Sequence, residues 1–346
     1  MKDLLAVPPH RVTQLESIRD ALLAHERIIL TTHVNADGDG AGSEAAVLAW
    51  LKTRGKTVHI ANPTAFPDSY KFLIEDTRVI LDPGDPRTFE ELQRADAVLV
   101  LDTGEPKRIG RIASSLSGKS VMVIDHHQPS DVGFTGTLVV DTSACATGEL
   151  VYDLMTLTDL RQPWPALVNE GIYTAIVTDT GSFRFSNTSP RAHVIAGQMI
   201  AAGVDPELAY KRLFGTVPLR RIQLLRHALD SLEVDEEAGL AWISIPRELM
   251  EESGAGSEDL EGVVEHARSI QGTEVAILFR ETADGATKVS LRSTGEIDVN
   301  AIARAFGGGG HIKASGAVLP DRLPRARERV LEAARAAIAR NRRAGK

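Results

Sequence analysis

The sequence predicts an α/β chain: a parallel sheet with helices on both faces, a helical linker, and a smaller second α/β domain. Three observations predict it. Arg27–Thr32, Ala97–Leu101 and Ser120–Ile124 are near-continuous apolar runs separated by helical patterns, the signature of parallel strands buried on both faces. Each run stops at a polar, titratable residue, as expected where a ligand site sits at the carboxyl ends of strands. Beyond residue 230 the pattern changes to a hairpin signal and a glycine run. The expected boundaries are 1–203 for the first domain, 204–230 for the linker and 231–346 for the second.

The elements follow in order. Val12, Leu15, Ile18 and Leu22 recur at helical spacing, predicting a helix over 12–25. The strand 27–32 ends at His33. A glycine-rich turn through Gly38 and Gly40 follows, then a helix from Gly42 to Arg54, with Gly55 where a helix ends. Lys56–Ala61 reads as the next strand. Ala97–Leu101 ends at Asp102, and Ser120–Ile124 ends at Asp125. Helices are expected over 146–158 and 165–177, before Thr178-Asp179-Thr180-Gly181 breaks the pattern. Asp205-Pro206 is an N-cap followed by a proline at the first helical position. Pro218 then divides the linker into two helices. Leu240–Ile245 is a strand. Glu274–Arg280 and Thr287–Arg292 flank the hairpin signal Ala283-Asp284-Gly285. Helices are expected near 257–270 and 298–306, and a strand near 314–319.

The bounds set by composition are broad. A chain of 346 residues suits about two domains of roughly 150 residues each. Hydrophobic content of 43% and charged content of 25% are ordinary for a globular protein. No run approaches the roughly 18 apolar residues of a membrane span, and Met1-Lys2-Asp3-Leu4 opens no signal-peptide core. One cysteine, Cys145, excludes a disulfide framework and fits a reducing cytoplasm. The net charge of −8 argues against a broad grip on long nucleic acid, yet admits a small phosphate substrate beside bound divalent metals. From Asp321 on, nine Lys/Arg face three Asp/Glu. With Val330, Leu331, Ala334 and Ile338 on one helical face, this reads as a docked terminal helix with a solvated basic side. Attraction of phosphate is the other reading.

His33, Asp37, Asp39, Asp102, Asp125, His126, His127 and Asp179 are the residues with chemistry to offer. Carboxylates and imidazoles suit borderline divalent ions such as Mn²⁺. Two ions about 3.5–4 Å apart, sharing a bridging carboxylate, can clamp a phosphate ester. His33 and Asp37 are placed to face one ion and Asp39 a second, and Asp102, after the strongest strand, is the natural bridge. Each part alone has an ordinary alternative: a polar turn or calcium-loop fragment for Asp37-Gly38-Asp39-Gly40, a cap for Asp102, chance for adjacent histidines.

Together these segments resemble the DHH phosphoesterase family. His33-Val34-Asn35-Ala36-Asp37-Gly38-Asp39, with Gly42-Ser43, is similar to its first motif, Asp102 to its second, Asp125-His126-His127 to its third and Asp179 to its fourth. Gly307–Gly316 is similar to the glycine-rich signature of the DHHA1 domain. Ala36 stands where the family often has proline, a turn-stiffening position. The resemblance implies a catalytic DHH domain, a DHHA1 substrate-binding domain and an active site in the interdomain cleft. It implies two divalent ions, Mn²⁺ foremost with Mg²⁺ or Co²⁺ as substitutes. His33, Asp37 and Asp102 would hold the first, and Asp39, Asp102, His126 and Asp179 the second. Asp125 would support a histidine, and His127 would face the phosphate.

The length most resembles members that cut short oligoribonucleotides and adenosine 3′,5′-bisphosphate, acting on short single-stranded RNA or small nucleotides in the cytoplasm; a homodimer is compatible. The substrate contacts expected are Arg184, Arg292, Ser293, Gly308, Gly309, Gly310 and His311. Phe183 and Phe185 are read as strand core or as base-stacking groups, and Arg191 and His193 as helix surface or site. The rival substrates are cyclic-di-AMP and its linear product pApA, and the rival class is a non-catalytic nucleotide sensor. A family II pyrophosphatase lacks the glycine-bearing second domain, and a RecJ-like exonuclease would be larger and more basic.

Overall fold

The computed structural model describes residues 3–129, 132–158, 164–310 and 312–344. The chain forms two compact units, 1–216 and 217–346. The linker expected over 204–230 is two helices, and the unit boundary falls between them.

The first unit runs α1 (Pro9–Ala24), β1 (Arg27–Thr31), α2 (Gly38–Thr53), β2 (Thr57–Ala61), β3 (Ile80–Leu81), α3 (Pro86–Arg94), β4 (Ala97–Leu101), β5 (Ser120–Asp125), β6 (Thr137–Val140), α4 (Thr147–Thr158), α5 (Ala166–Asp179), α6 (Pro190–Ala201) and α7 (Pro206–Leu213). Its six strands are all parallel, in the order β3-β2-β1-β4-β5-β6. Successive residues of a strand face opposite sides. Ile28, Leu30, Leu99 and Leu101 therefore enter the larger core, with α1, α2, α4, α5 and α6. Ile29, Val98, Val100 and Val123 enter a thinner one with Leu92 of α3 and with Ile109 and Ile112. The chain runs outward from β1 to β3, then returns through β4 to build the other half. The crevice where strand order reverses, at the carboxyl ends of β1 and β4, is where such sheets bind ligands. His33 and Asp102 follow those two strands.

The helix expected from Gly42 begins four residues earlier. Asp37 is its N-cap, accepting from the N–H groups of Asp39 and Gly40, so the glycines lie in the first turn rather than in a free loop. They are small because of what they touch. A Cβ on Gly38 would lie 2.4 Å from the Thr178 side chain, and one on Gly42 would lie 2.5 Å from the Gly171 carbonyl oxygen. Helices α2 and α5 thus meet backbone to backbone, and this contact sets Asp39, on α2, against Asp179, at the end of α5. Gly42→Ala is expected to cost about 1–3 kcal/mol through overpacking, seen as a lower midpoint in urea unfolding.

The second unit runs α8 (Leu219–Asp230), β7 (Glu233–Asp235), β8 (Leu240–Ile245), α9 (Arg247–Ser253), α10 (Val263–Arg268), β9 (Val275–Glu281), β10 (Thr287–Ser293), α11 (Val299–Arg304), β11 (Gly309–Gly310), β12 (Ala314–Leu319) and α12 (Leu323–Ala344). The sheet order is β11-β12-β10-β9-β8-β7, antiparallel except for β8 and β9. Helices α11 and α12 cover one face, and α8 and α10 cover part of the other. The helix expected over 257–270 is shortened to α10, because Gly262 takes a left-handed conformation, φ 79°. Val330, Leu331, Ala334 and Ile338 of α12 are buried. Arg327, Arg329, Arg335 and Arg342 pair with Glu233, Asp321, Asp235 and Glu274. The basic terminal segment is therefore a docked helix whose arginines tie it to its own unit. No helix among the described residues is long and apolar enough to cross a membrane.

Candidate metal centre

Three strand ends and one helix end bring the predicted residues together. His33 follows β1, Asp102 follows β4, and Asp125 closes β5 ahead of His126 and His127. Asp179 comes from the last turn of α5. That differs from the expected break after a helix at 177, because the helix continues until Thr180 caps it.

Asp102 is the hub. It is buried, and its backbone is left-handed at φ 62°, a conformation that costs energy for a residue with a Cβ and concentrates at functional sites. Its Oδ2 lies 3.3 Å from Nε2 of His33. Its Oδ1 lies 3.6 Å from Nε2 of His126 and 3.6 Å from Nδ1 of His127. The Thr147 hydroxyl donates to Oδ1 at 3.0 Å. The two oxygens of one carboxylate thus address two neighbourhoods. In the first, His33 Nε2 is also 3.6 Å from Asp37 Oδ2. In the second, His126 Nε2 is 3.6 Å from Asp39 Oδ2 and 3.7 Å from Asp179 Oδ2. His33, Asp37 and Asp102 form one group with ligand-compatible spacing, and Asp39, His126 and Asp179 form another; a third spans Asp102, His126 and His127.

Nε2 of His33 and of His126 are both buried without a hydrogen-bond partner. A buried polar nitrogen left without a partner is costly, and these two point into nests of carboxylates. Nδ1 of His33 lies 2.9 Å from the Val34 carbonyl oxygen, which fixes its proton there and leaves Nε2 as a lone-pair donor. The donor set, imidazole plus carboxylate with no thiolate, fits a borderline divalent cation.

Charge sharpens the case. Burial disfavours the charged form of His33, but the Asp102 and Asp37 carboxylates outweigh it and carry its pKa up to about 10. Asp39 is pushed well above the ordinary carboxylate range, first by burial and then by Asp102 and Asp179. Asp179 is raised to about 6, chiefly by burial. So many acids crowded together repel one another unless cations join them.

His127 is held differently. Its Nδ1 is 2.7 Å from Asp125 Oδ1, which also accepts its backbone N–H. Asp125 thus supports His127 rather than His126. The His127 pKa is raised: burial opposes its charge, and Asp125 and Asp102 more than compensate.

The sequence reading missed the groups that fix Asp39 and Asp179. The backbone N–H groups of Thr147 and Gly148, at the start of α4, donate to the two oxygens of Asp39 at 2.7 and 2.9 Å. A helix N-terminus suits an anion in this way, and its predicted start near 146 was the available signal. Asn187 donates to Asp179 Oδ2 at 3.0 Å and also to the Cys145 and Asp179 carbonyls. Asn62 links the Thr32 N–H to buried Glu44 behind His33.

The expected substrate contacts fare less evenly. Arg184 lies in the turn after α5 and donates to the Gly181 carbonyl at 2.6 Å. Phe183 stacks on His193, with ring centroids 4.6 Å apart, and packs against the core, whereas Phe185 is half exposed. Arg191 belongs to a buried network with Arg11, Glu149 and Asp153, so it faces inward. In the second unit Arg292 donates to Glu265 at 3.1 Å. Ser293 requires correction: it is buried, and its hydroxyl donates to the Ile297 carbonyl at 2.7 Å, which leaves no donor for a substrate. The Gly308 N–H is likewise committed, to the Ala303 carbonyl. Gly309 and Gly310 form an exposed edge strand instead of a loop. His311 lies outside the described residues.

An open α/β sheet with carboxylates and imidazoles at its switch point, plus a separate mixed-sheet unit, defines a metal-binding phosphoesterase architecture. The chain belongs to the DHH family: the description "DHH family, N-terminal domain" matches residues 27–177, and "DHHA1 domain" matches residues 244–340. The bifunctional oligoribonuclease and PAP phosphatase NrnA of Thermus thermophilus is 33% identical over 97% of this chain and 98% of its own. The Bacillus subtilis protein of the same name is 30% identical over 85% of this chain and 89% of its own. A cyclic-di-AMP phosphodiesterase, GdpP of Geobacillus thermodenitrificans, is more distant, at 24% identity over 88% of this chain and 46% of its own. The crystal structure of an exopolyphosphatase-related protein from Bacteroides fragilis superposes with a TM-score of 0.86 at 27% identity, covering 94% of this chain and 96% of its own.

Proposed function

We propose that this chain is a cytoplasmic, metal-dependent phosphohydrolase. It cuts short oligoribonucleotides to nucleoside 5′-monophosphates and removes the 3′-phosphate of adenosine 3′,5′-bisphosphate. The observation that carries the reading is Asp102, whose two oxygens face two separate His/Asp groups. His33, Asp37 and Asp102 would hold one divalent ion, and Asp39, Asp102, His126 and Asp179 a second, with Mn²⁺ the best match to the donors. When bound, such ions activate water at neutral pH and offset the charge of the phosphate.

The chain's own residues supply the remainder. The N–H groups of Thr147 and Gly148 hold Asp39 in one orientation, and Asn187 does the same for Asp179, so neither carboxylate must reorganise. Asp125 anchors Nδ1 of His127 and stabilises its imidazolium. His127 Nε2 therefore carries a proton near neutrality and delivers it to the leaving oxygen as the phosphorus–oxygen ester bond breaks and water supplies the new one. Arg184 and, in the second unit, Arg292 and the Gly309–Gly310 edge contact the substrate's phosphates.

Support for oligoribonucleotides over cyclic-di-AMP comes from the relatives: those of higher identity and near-full mutual coverage carry the oligoribonuclease and PAP phosphatase name. A substrate panel tests it. With Mn²⁺ supplied, di- to pentaribonucleotides and adenosine 3′,5′-bisphosphate are expected to turn over with kcat/KM at least about tenfold above that for cyclic-di-AMP. Preference for cyclic-di-AMP would overturn the assignment, and saturable nucleotide binding without hydrolysis would favour a sensor.

A further inference from the structure

Arg280 on β9 and Lys288 on β10 stand directly opposite each other in the antiparallel register. Like charges in that relation repel and cost stability. A carboxylate nearby would relieve them, yet among the described residues neither makes a hydrogen bond or ion pair. Burial, and then the Arg280 guanidinium, lower the pKa of the Lys288 ammonium. This is a pair of cations that lacks its anion.

The surroundings show what anion fits. Side chains alternate along β10, so Lys288, Ser290 and Arg292 share one face at steps of roughly 6.8 Å. That step is comparable with the spacing of successive phosphates along an extended single strand. On β12 the register neighbours of Ser290 and Arg292 are Gly316 and Ala314, which leave the strip beside them low. On β9 the neighbours are Leu278 and Ala276, buried with Val263, Val264 and Ala267 of α10. Helix α10 thus forms one side of the strip. Its Glu265 satisfies Arg292 at one end; at the other end Arg280 and Lys288 remain uncompensated.

We infer that Arg280 and Lys288 form an anion subsite for a backbone phosphate of an oligonucleotide, remote from the bond that is cut and continuing the strip that starts at Arg292. The inference rests on the oligoribonuclease reading above and adds a basis for length preference. A substrate of three or more nucleotides spans the strip, whereas adenosine 3′,5′-bisphosphate is too short to do so.

The test uses the metal-loaded protein, a fluorescent phosphorothioate tetraribonucleotide that resists cleavage, and anisotropy over a range of salt. Removing both cations, with Arg280→Ala and Lys288→Ala, is expected to flatten the plot of log affinity against log salt by about 0.7 for each cation lost, the single-strand value. Lys288→Arg keeps the slope. The ratio of KM for a tetranucleotide to KM for a dinucleotide is expected to rise about tenfold in the double variant. Lys288→Glu, which pairs with Arg280, melts no lower than the unmodified protein, so loss of binding there cannot be loss of fold. An unchanged salt slope, or an equal rise in KM at both lengths, overturns the subsite. If the unmodified protein cleaves no oligonucleotide, the functional reading fails, while the salt slope still decides whether the anion subsite exists.

Discussion

Asp102→Ala is expected to lower kcat on a dinucleotide by at least about 10³-fold, equivalent to roughly 4 kcal/mol of barrier. Few side chains in the chain are so committed. Asp102 is buried and left-handed, and its two oxygens reach His33 on one side and His126 and His127 on the other. Alanine removes the only carboxylate shared by the two groups, and no neighbour is placed to replace it. The fold should survive, because the same substitution relieves a strained carboxylate among other carboxylates. Circular dichroism and a thermal melt on the metal-free variant check this. Turnover within tenfold of the unmodified protein, with Mn²⁺ supplied, would remove Asp102 from the mechanism.

Asp179→Asn is expected to move activity and stability in opposite directions. The Asp179 carboxyl is raised to about 6 in the folded chain, above its ordinary 3.8. The unfolded chain therefore ionises first. As pH rises from about 4 to 6 the folded state loses stability, and above 6 the deficit stays constant. Asparagine has no charge to lose, and its carbonyl oxygen can still accept from Asn187. The metal-free variant should melt higher than the unmodified protein at pH 7–8, by an amount on the order of 1–3 kcal/mol, and the two should converge below about pH 4. Turnover should fall by about a hundredfold or more, because the group around His126 loses an anionic donor. Differential scanning calorimetry across that pH range, beside initial rates, separates the two effects. A lower melt at pH 7–8 would show that the ionised Asp179 stabilises the fold.

The parts of the fold legible in the sequence are those set by short-range pattern. Continuous apolar strands such as Ala97–Leu101 can only be central and parallel, so the sheet and the residues at its edge were readable. Each of His33, Asp102 and Asp125 follows or closes such a run. What escaped depends on contacts between distant segments. Asp39 is fixed by N–H groups 108 and 109 residues further along the chain, and no local signal ties Asn187 to Asp179. The true start of α2 was hidden because glycines normally suggest a turn; here they are required by Thr178 and Gly171 pressing from α5. The substrate contacts were harder still. Ser293 and Arg191 carry the chemistry of ligand-binding residues, but burial turns the first toward Ile297 and the second toward Glu149 and Asp153. Polar character alone does not reveal which way a side chain faces.

The central claim is that one carboxylate organises two cation sites. Native mass spectrometry of the metal-free chain titrated with Mn²⁺ addresses it most directly. The unmodified protein should take up two ions per chain, and Asp102→Ala should lose at least one of them at the same metal concentration. Two ions bound equally well by both proteins would contradict it.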